Sequence, residues 1–267
     1  MLSSTSASSS FSERWVESHR RSASRGSLGD DHPHTIQSVN GLAIAAFRRG
    51  DLQGALKGFL EASERWTRTL GPLHPHTLTA SGSAGVVLTE LGELSEAERL
   101  LRDVLSRRSQ SQPPDHPHIA MAMRQLGVTL HRAGRLAEAE VVLVESVRRH
   151  REGFAARHLR TSEALLALGA VLRDAGRAAS AEPLLREALD IRAEAIQEPD
   201  ERLAEAQREL GACLAALGRR GEAERLLLSS YEIVAERAGA ARHAERAARA
   251  LAELYEQSGD AVGAARP

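Results

Sequence analysis

The sequence predicts an all-α chain, a solenoid of stacked antiparallel helix pairs. Three observations carry that expectation. Glycines recur at Gly50, Gly92, Gly134, Gly176 and Gly218, each 42 residues after the last. His32, His74, His116 and His158 keep the same period. Ala55, Ala97, Ala139, Ala181 and Ala223 keep it too. Three positions held in phase over as many as five copies mark an internal repeat, and a repeat array has no single central core.

Composition agrees and removes several classes of function. Only 3% of the 267 residues are aromatic, while Ala and Leu abound, as stacked helices tolerate and β-sandwiches do not. The net charge of -1 removes the electrostatic case for nonspecific nucleic-acid binding. Cys213 is the single cysteine, so the chain forms no internal disulfide and suits a reducing compartment. No apolar run reaches the roughly 18–20 residues a membrane span needs, and MLSSTSASSS has neither the basic nor the apolar region of a secretory signal. These exclusions lead to the expectation of a cytoplasmic protein with no membrane association.

Residues 1–30 form a Ser-rich segment expected to be a disordered tail. Within it Phe11, Trp15 and Val16 stand at helical spacing, so a short helix covering the first repeat is the competing expectation. Ser24, three residues after Arg21, resembles a site for a basic-directed kinase.

The array is expected over residues 31–267, as five full repeats and a partial sixth. In each repeat the first helix starts at the Pro of His-Pro, where the missing N–H costs nothing. Asp31-His32 and Asp115-His116 stand just outside that end. The helix stops at the periodic Gly, which adopts the left-handed conformation that ends helices. The second helix then runs about four turns. In the second copy Leu94, Ala97, Leu100, Leu101, Val104 and Leu105 give one apolar stripe at 3.6-residue spacing.

One such pair cannot bury its own stripe, and stacked pairs can. Small residues belong where the helices approach most closely: Ala43, Gly85, Gly127, Gly169 and Gly211 on the first helix, Ala55 and its equivalents on the second. A glycine inside a helix costs roughly 1 kcal/mol relative to alanine, so four in phase require a packing return. The fourth copy has Leu159 after His158 in place of Pro, and the fifth replaces His-Pro by Asp200-Glu201, so both starts are less distinct. Pro183 falls inside a second helix and is expected to distort it only locally. The sixth copy should have a first helix over about 241–257, with Arg242, Glu245, Arg249 and Glu253 among the residues offering water a polar face.

Leu126-Gly127 with Leu130, then Ala139 and Leu143, match the small-and-large scheme of the tetratricopeptide repeat. With its 42-residue period, DHPH start and LAEAE stretch, the chain resembles the longer variant found in kinesin light chains and in bacterial multidomain signalling proteins. The resemblance implies a right-handed superhelix whose concave groove is lined by first helices and binds peptides or proteins. The Lys/Asn carboxylate clamp of chaperone-binding members is not matched: Asn40 is followed four residues later by Ile44, and Arg124 by Val128.

No catalytic motif stands in the sequence, neither a nucleophile elbow, a P-loop nor a zincin helix, so no enzyme is expected. His32-Pro-His34, His74-Pro-His76 and His116-Pro-His118 invite a metal reading. Equivalent residues of stacked pairs lie roughly twice the 8–10 Å interaxial distance apart, whereas zinc ligands sit about 2 Å from the ion. Neither a metal nor a cofactor is expected.

The candidate site is the groove. On the early first helices the positions opposite the buried ones are Asn40, Ile44 and Phe47, then Val86 with Thr89. The third copy gives Met121, Arg124, Val128 and His131, and the later ones Leu166, Ala170, Arg173 and Arg208. The early end reads as apolar and the later end as basic. The expected partner is a protein or peptide segment with apolar anchors and acidic residues, which arginine holds through two hydrogen bonds. The expected role is a noncatalytic scaffold, monomeric or weakly self-associating. The alternative is a regulatory, self-associating module of a larger kinase-linked signalling system.

Overall fold

Apolar stripes at helical spacing, broken every 42 residues by glycine, give helices and nothing else among the described residues of a computed structural model, which are 29–154, 157–235, 237 and 240–257. The first helices are α1 (Pro33–Arg49), α3 (Pro75–Leu91), α5 (Pro117–Arg132), α7 (Leu159–Asp174), α9 (Glu201–Ala216) and α11 (Ala241–Gln257). The second helices are α2 (Leu52–Leu70), α4 (Leu94–Ser111), α6 (Leu136–Gly153), α8 (Ala178–Ala195) and α10 (Arg220–Val234). Phe11, Trp15, Val16 and Ser24 lie outside the described residues. The chain forms two compact units, residues 1–100 and 101–267.

In the first unit α1 packs on α2, and α2 on α3. In the second, each helix from α5 to α11 packs on the next, and successive first helices also touch, α5 with α7, α7 with α9 and α9 with α11. This is the stacked helix-pair repeat, built from one stripe per helix. Ala139, Leu143 and Val147 of α6 are buried, as are Ala181, Leu185 and Ala188 of α8 and Ala223 with Leu227 of α10. Each fully buried leucine contributes roughly 1.5–3 kcal/mol, so the stacking outweighs any intrinsic helix preference.

The helix ends follow the repeat. Gly50, Gly92, Gly134, Gly176 and Gly218 all take positive φ, between 74° and 86°, the region an L side chain rarely enters. At the other end the capping group is the histidine, and the preceding Asp is not involved. Nδ1 of His32, His74 and His116 accepts the backbone N–H of His34, His76 and His118, each at 3.2 Å. The imidazole thus takes the place that Ser, Thr or Asp usually fills. His158 does the same for Arg160 at 3.0 Å, so the fourth copy starts as sharply as the others despite Leu159. In the fifth, Asp200 accepts from the N–H of Arg202 at 2.9 Å and of Leu203 at 3.2 Å.

The close approach inside the third, fourth and fifth pairs is not small against small. A Cβ built on Gly127 would lie 2.5 Å from Leu143 Cγ, and one on Gly169 2.5 Å from Leu185 Cδ2. On Gly211 it would lie 2.8 Å from Leu227 Cγ. Glycine on the first helix therefore receives a leucine from the second, and the periodic alanines of the second helix are simply buried. Pro183 sits in the second turn of α8 without ending it.

Candidate binding face of the first helices

In the first unit the candidate residues lie on α1 and α3. Ile44 is exposed, while Asn40, Phe47 and Val86 are half-buried. Phe47 packs at the edge of the cluster formed by Ala43, Ala46, Ala55, Phe59, Ala84 and Val87. Thr89 is buried, and its hydroxyl donates to the Gly85 carbonyl at 2.9 Å, so it serves its own helix.

In the second unit, helical spacing puts Met121, Arg124, Val128 and His131 in one stripe on α5, beside α7. Met121 and Val128 are half-buried, with part of each side chain in solvent. Leu166 and Ala170, the equivalents one and two turns along α7, are buried at 5% and 8% exposure and contribute packing more than reach.

The charged members do not form the basic stretch expected from sequence, because each meets a carboxylate. Arg124 Nη2 lies 3.1 Å from Glu163 Oε2, which Arg160 also approaches at 3.5 Å. His131 Nε2 lies 2.7 Å from Asp174 Oδ2. Glu209 is held by Arg173 and Arg208, both at 2.6 Å. Burial alone would make the Arg173 proton easier to lose, but Glu209 and Asp174 outweigh it and hold the guanidinium more firmly charged. The hydrogen bond from His131, with Arg173 alongside, draws the Asp174 carboxyl down to about 2. Three of these pairs run from one first helix to the next, from α5 to α7 and from α7 to α9.

A second set of residues escaped sequence reasoning. Position 66 recurs as Trp66, Arg108, His150, Arg192 and Val234, and all five are buried. The slot lies on each second helix, and in the second unit it faces the start of the next first helix. Arg192 Nη1 reaches Glu205 at 2.9 Å and the Arg202 carbonyl, while its Nε donates to Ser162 Oγ at 3.1 Å. His150 Nδ1 lies 2.8 Å from the Ser146 carbonyl. Burial pulls the Arg108 guanidinium down to about 10. The signal that would have found this set is phase: two arginines and a histidine on the buried side of the second helix, spaced at 42 residues.

In the histidine pairs Nδ1 of the first ring caps a helix, and no cluster of three or more His, Cys, Asp or Glu with metal-site geometry occurs among the described residues. No helix among them is long and apolar enough to cross a membrane. Cys213 is buried, and burial pushes its thiol up, away from the thiolate form.

Two family models described as tetratricopeptide repeat match the chain, one over residues 34–110 and again over 118–194, the other over 83–149. No curated protein matches. Among solved structures, a putative kinesin light chain from Podosopora anserina with nearly identical TPR-like repeats is 23% identical, with a TM-score of 0.60. It covers 77% of this chain and 97% of its own. A Rap protein complexed with competence and sporulation factor is 15% identical, with a TM-score of 0.62, over 93% of this chain and 70% of its own. The Rap conjugation gene regulator of the plasmid pLS20, in complex with the Phr* peptide, is 14% identical at the same TM-score, over the same shares of the two chains. At these identities the likeness is one of fold.

Proposed function

The chain belongs to the tetratricopeptide repeat family, and from that premise we propose that it is a noncatalytic scaffold that binds a peptide or partner protein on the first-helix face. One observation carries the reading. In the second unit the first helices lie side by side and present a stripe in which half-exposed Met121 and Val128 alternate with charged side chains already fixed by their neighbours. A face whose charges are held before binding loses little side-chain entropy when a partner arrives. Met121 and Val128 supply the apolar anchor points. An acidic group of the partner has to share a guanidinium with Glu163 or Glu209, which five N–H donors per arginine permit. The similarity in fold to a Rap protein complexed with competence and sporulation factor and to a Rap regulator in complex with the Phr* peptide supports a peptide or protein as the ligand class.

The test is a pull-down with two double variants of matched circular dichroism. Met121→Glu/Val128→Glu charges the first-helix face. Val141→Glu/Val144→Glu charges the far side of α6, where those valines are 72% and 51% exposed. The first variant should lose the wild-type partners and the second should keep them. Identical partner lists for all three proteins would discard the reading.

A further inference from the structure

Every first helix of a repeat array turns one side toward the pair before it. Phase identifies that side here. Ala84 and Val87 of α3 lie in one buried cluster with Ala55 and Phe59 of the preceding second helix. Their equivalents in the third to fifth copies are Leu126 and Thr129, Leu168 and Val171, Leu210 and Cys213, none more than 6% exposed. In α1 the same two positions are Leu42 and Ala45. Leu42 is 40% exposed and Ala45 is half-exposed. An apolar position covered in four copies and open in the first is an unpartnered face rather than an ordinary surface leucine. Leu60 makes the contrast: it is exposed, but so are its equivalents Arg102, Val144, Arg186 and Leu228, so it belongs to the outer face of every second helix.

We propose that the Leu42–Ala45 face of α1 is the seat of the chain's own upstream segment, residues 11–16, with Phe11, Trp15 and Val16 as the covering side chains. These are the large apolar side chains that the sequence places ahead of α1 apart from Met1, Leu2 and Leu28, and they stand within six residues of one another. Reach is sufficient. Residues 17–32 separate them from α1 and extend to about 50 Å at roughly 3.3 Å each. The 17 residues of α1 are only about 25 Å long. The tether also decides between occupants. It holds the segment near its seat at an effective concentration on the order of millimolar, which a second copy of the chain does not match in dilute solution.

Trp15 reports on its own environment, because Trp66 is the only other tryptophan and is buried. The experiment measures acrylamide quenching and emission of the full chain and of Trp15→Phe, whose difference is the Trp15 signal. Leu42→Asp and the control Leu60→Asp are then measured in the same way. The expected result is a shielded, blue-shifted Trp15 in the wild type and in Leu60→Asp. Leu42→Asp should raise its quenching to that of free tryptophan, with helical content and the Trp66 signal unchanged. Substituting Ala45 by Asp, at a half-exposed position, should reproduce the effect if Leu42→Asp lowers helical content. A Trp15 as quenchable as free tryptophan in the wild type overturns the proposal. So does shielding that survives both substitutions, or shielding that disappears on dilution as a light-scattering dimer dissociates, which assigns the face to a second copy.

Discussion

Two buried positions one repeat apart, His150 and Arg192, solve the same problem in opposite ways. Both lie on a second helix of the second unit against the start of the next first helix, and both are almost inaccessible, at 0% and 2% exposure. Arg192 grips Glu205, with the Arg202 carbonyl and Ser162 taking its other donors. Burial works against the Glu205 carboxylate, and the attraction of Arg192 prevails and keeps it ionised. His150 has the corresponding acid, Glu163, within electrostatic range, but that carboxylate is held by Arg124 and Arg160. The imidazole is left with Ser146 alone, and its Nε2 meets no hydrogen-bond partner among the described residues. Burial therefore pushes its proton affinity down, aided by Arg124 and Arg160 and opposed by the Ser146 carbonyl and Glu163. The comparison teaches that the repeat dictates a buried site at this place and leaves its chemistry open. One copy fills it with an ion pair, the other with a neutral ring.

Breaking the charged version should cost most. Arg192→Met keeps the apolar stem and strands Glu205. Loss of one partner of a buried pair costs about 3–5 kcal/mol, and the partial exposure of Glu205 reduces this to roughly 2–4. Denaturant unfolding monitored by circular dichroism measures it, and an unchanged midpoint would show that the pair does not hold the junction. Gly169→Ala, in the helix between the two sites, comes next. Its Cβ would sit 2.5–2.6 Å from Cδ2 and Cγ of the fully buried Leu185, and overpacking of this kind costs about 1–3 kcal/mol. If the variant were more stable, Leu185 would have free room that the packing does not show.

The neutral version should reveal itself through pH. The folded proton affinity of His150 lies below that of the unfolded chain, so the unfolded state takes up the proton first as pH falls. Stability is then complete above about 6.5, the ordinary imidazole value, and declines below it until the folded-state value is passed. His150→Asn removes this titration. The fall in Tm between about pH 7.5 and about pH 5.5 should be smaller in the variant than in the wild type. It should not vanish, since burial lowers His118 and His243 in the same direction. Equal slopes for variant and wild type would remove His150 from the account.

What the sequence made legible was whatever repeats along one helix. The glycine ends, the proline starts, the apolar stripes and the first helix of the sixth copy all stand where the 42-residue phase puts them. The histidines were legible as boundary residues, but their use as caps was not, because the Asp beside His32 and His116 is the commoner capping residue. The candidate face was read only as columns of equivalent residues. Glu163 and Glu209 stand in other columns, so the pairing of Arg124 with Glu163 and of Arg173 with Glu209 needed the lateral packing of first helices to become visible, while Arg208 meets Glu209 on its own helix. Arg108, His150 and Arg192 were hidden for a related reason: a polar side chain in a helix reads as solvated unless its phase is compared with the buried stripe.

The leucine that enters the glycine of its partner helix has a consequence for how such an array can be altered. In the third to fifth copies the first helix offers the hollow and the second the bulk, as Gly127 and Leu143 do. In the first copy the sense is inverted: Ala43 protrudes from α1, and Gly58 on α2 gives way, a Cβ there lying only 2.8 Å from that of Ala43. The two surfaces are keyed differently, so a lone helix grafted from one copy into another would arrive with the wrong half of the lock. The transplantable piece of this protein is the hairpin, carrying both halves together.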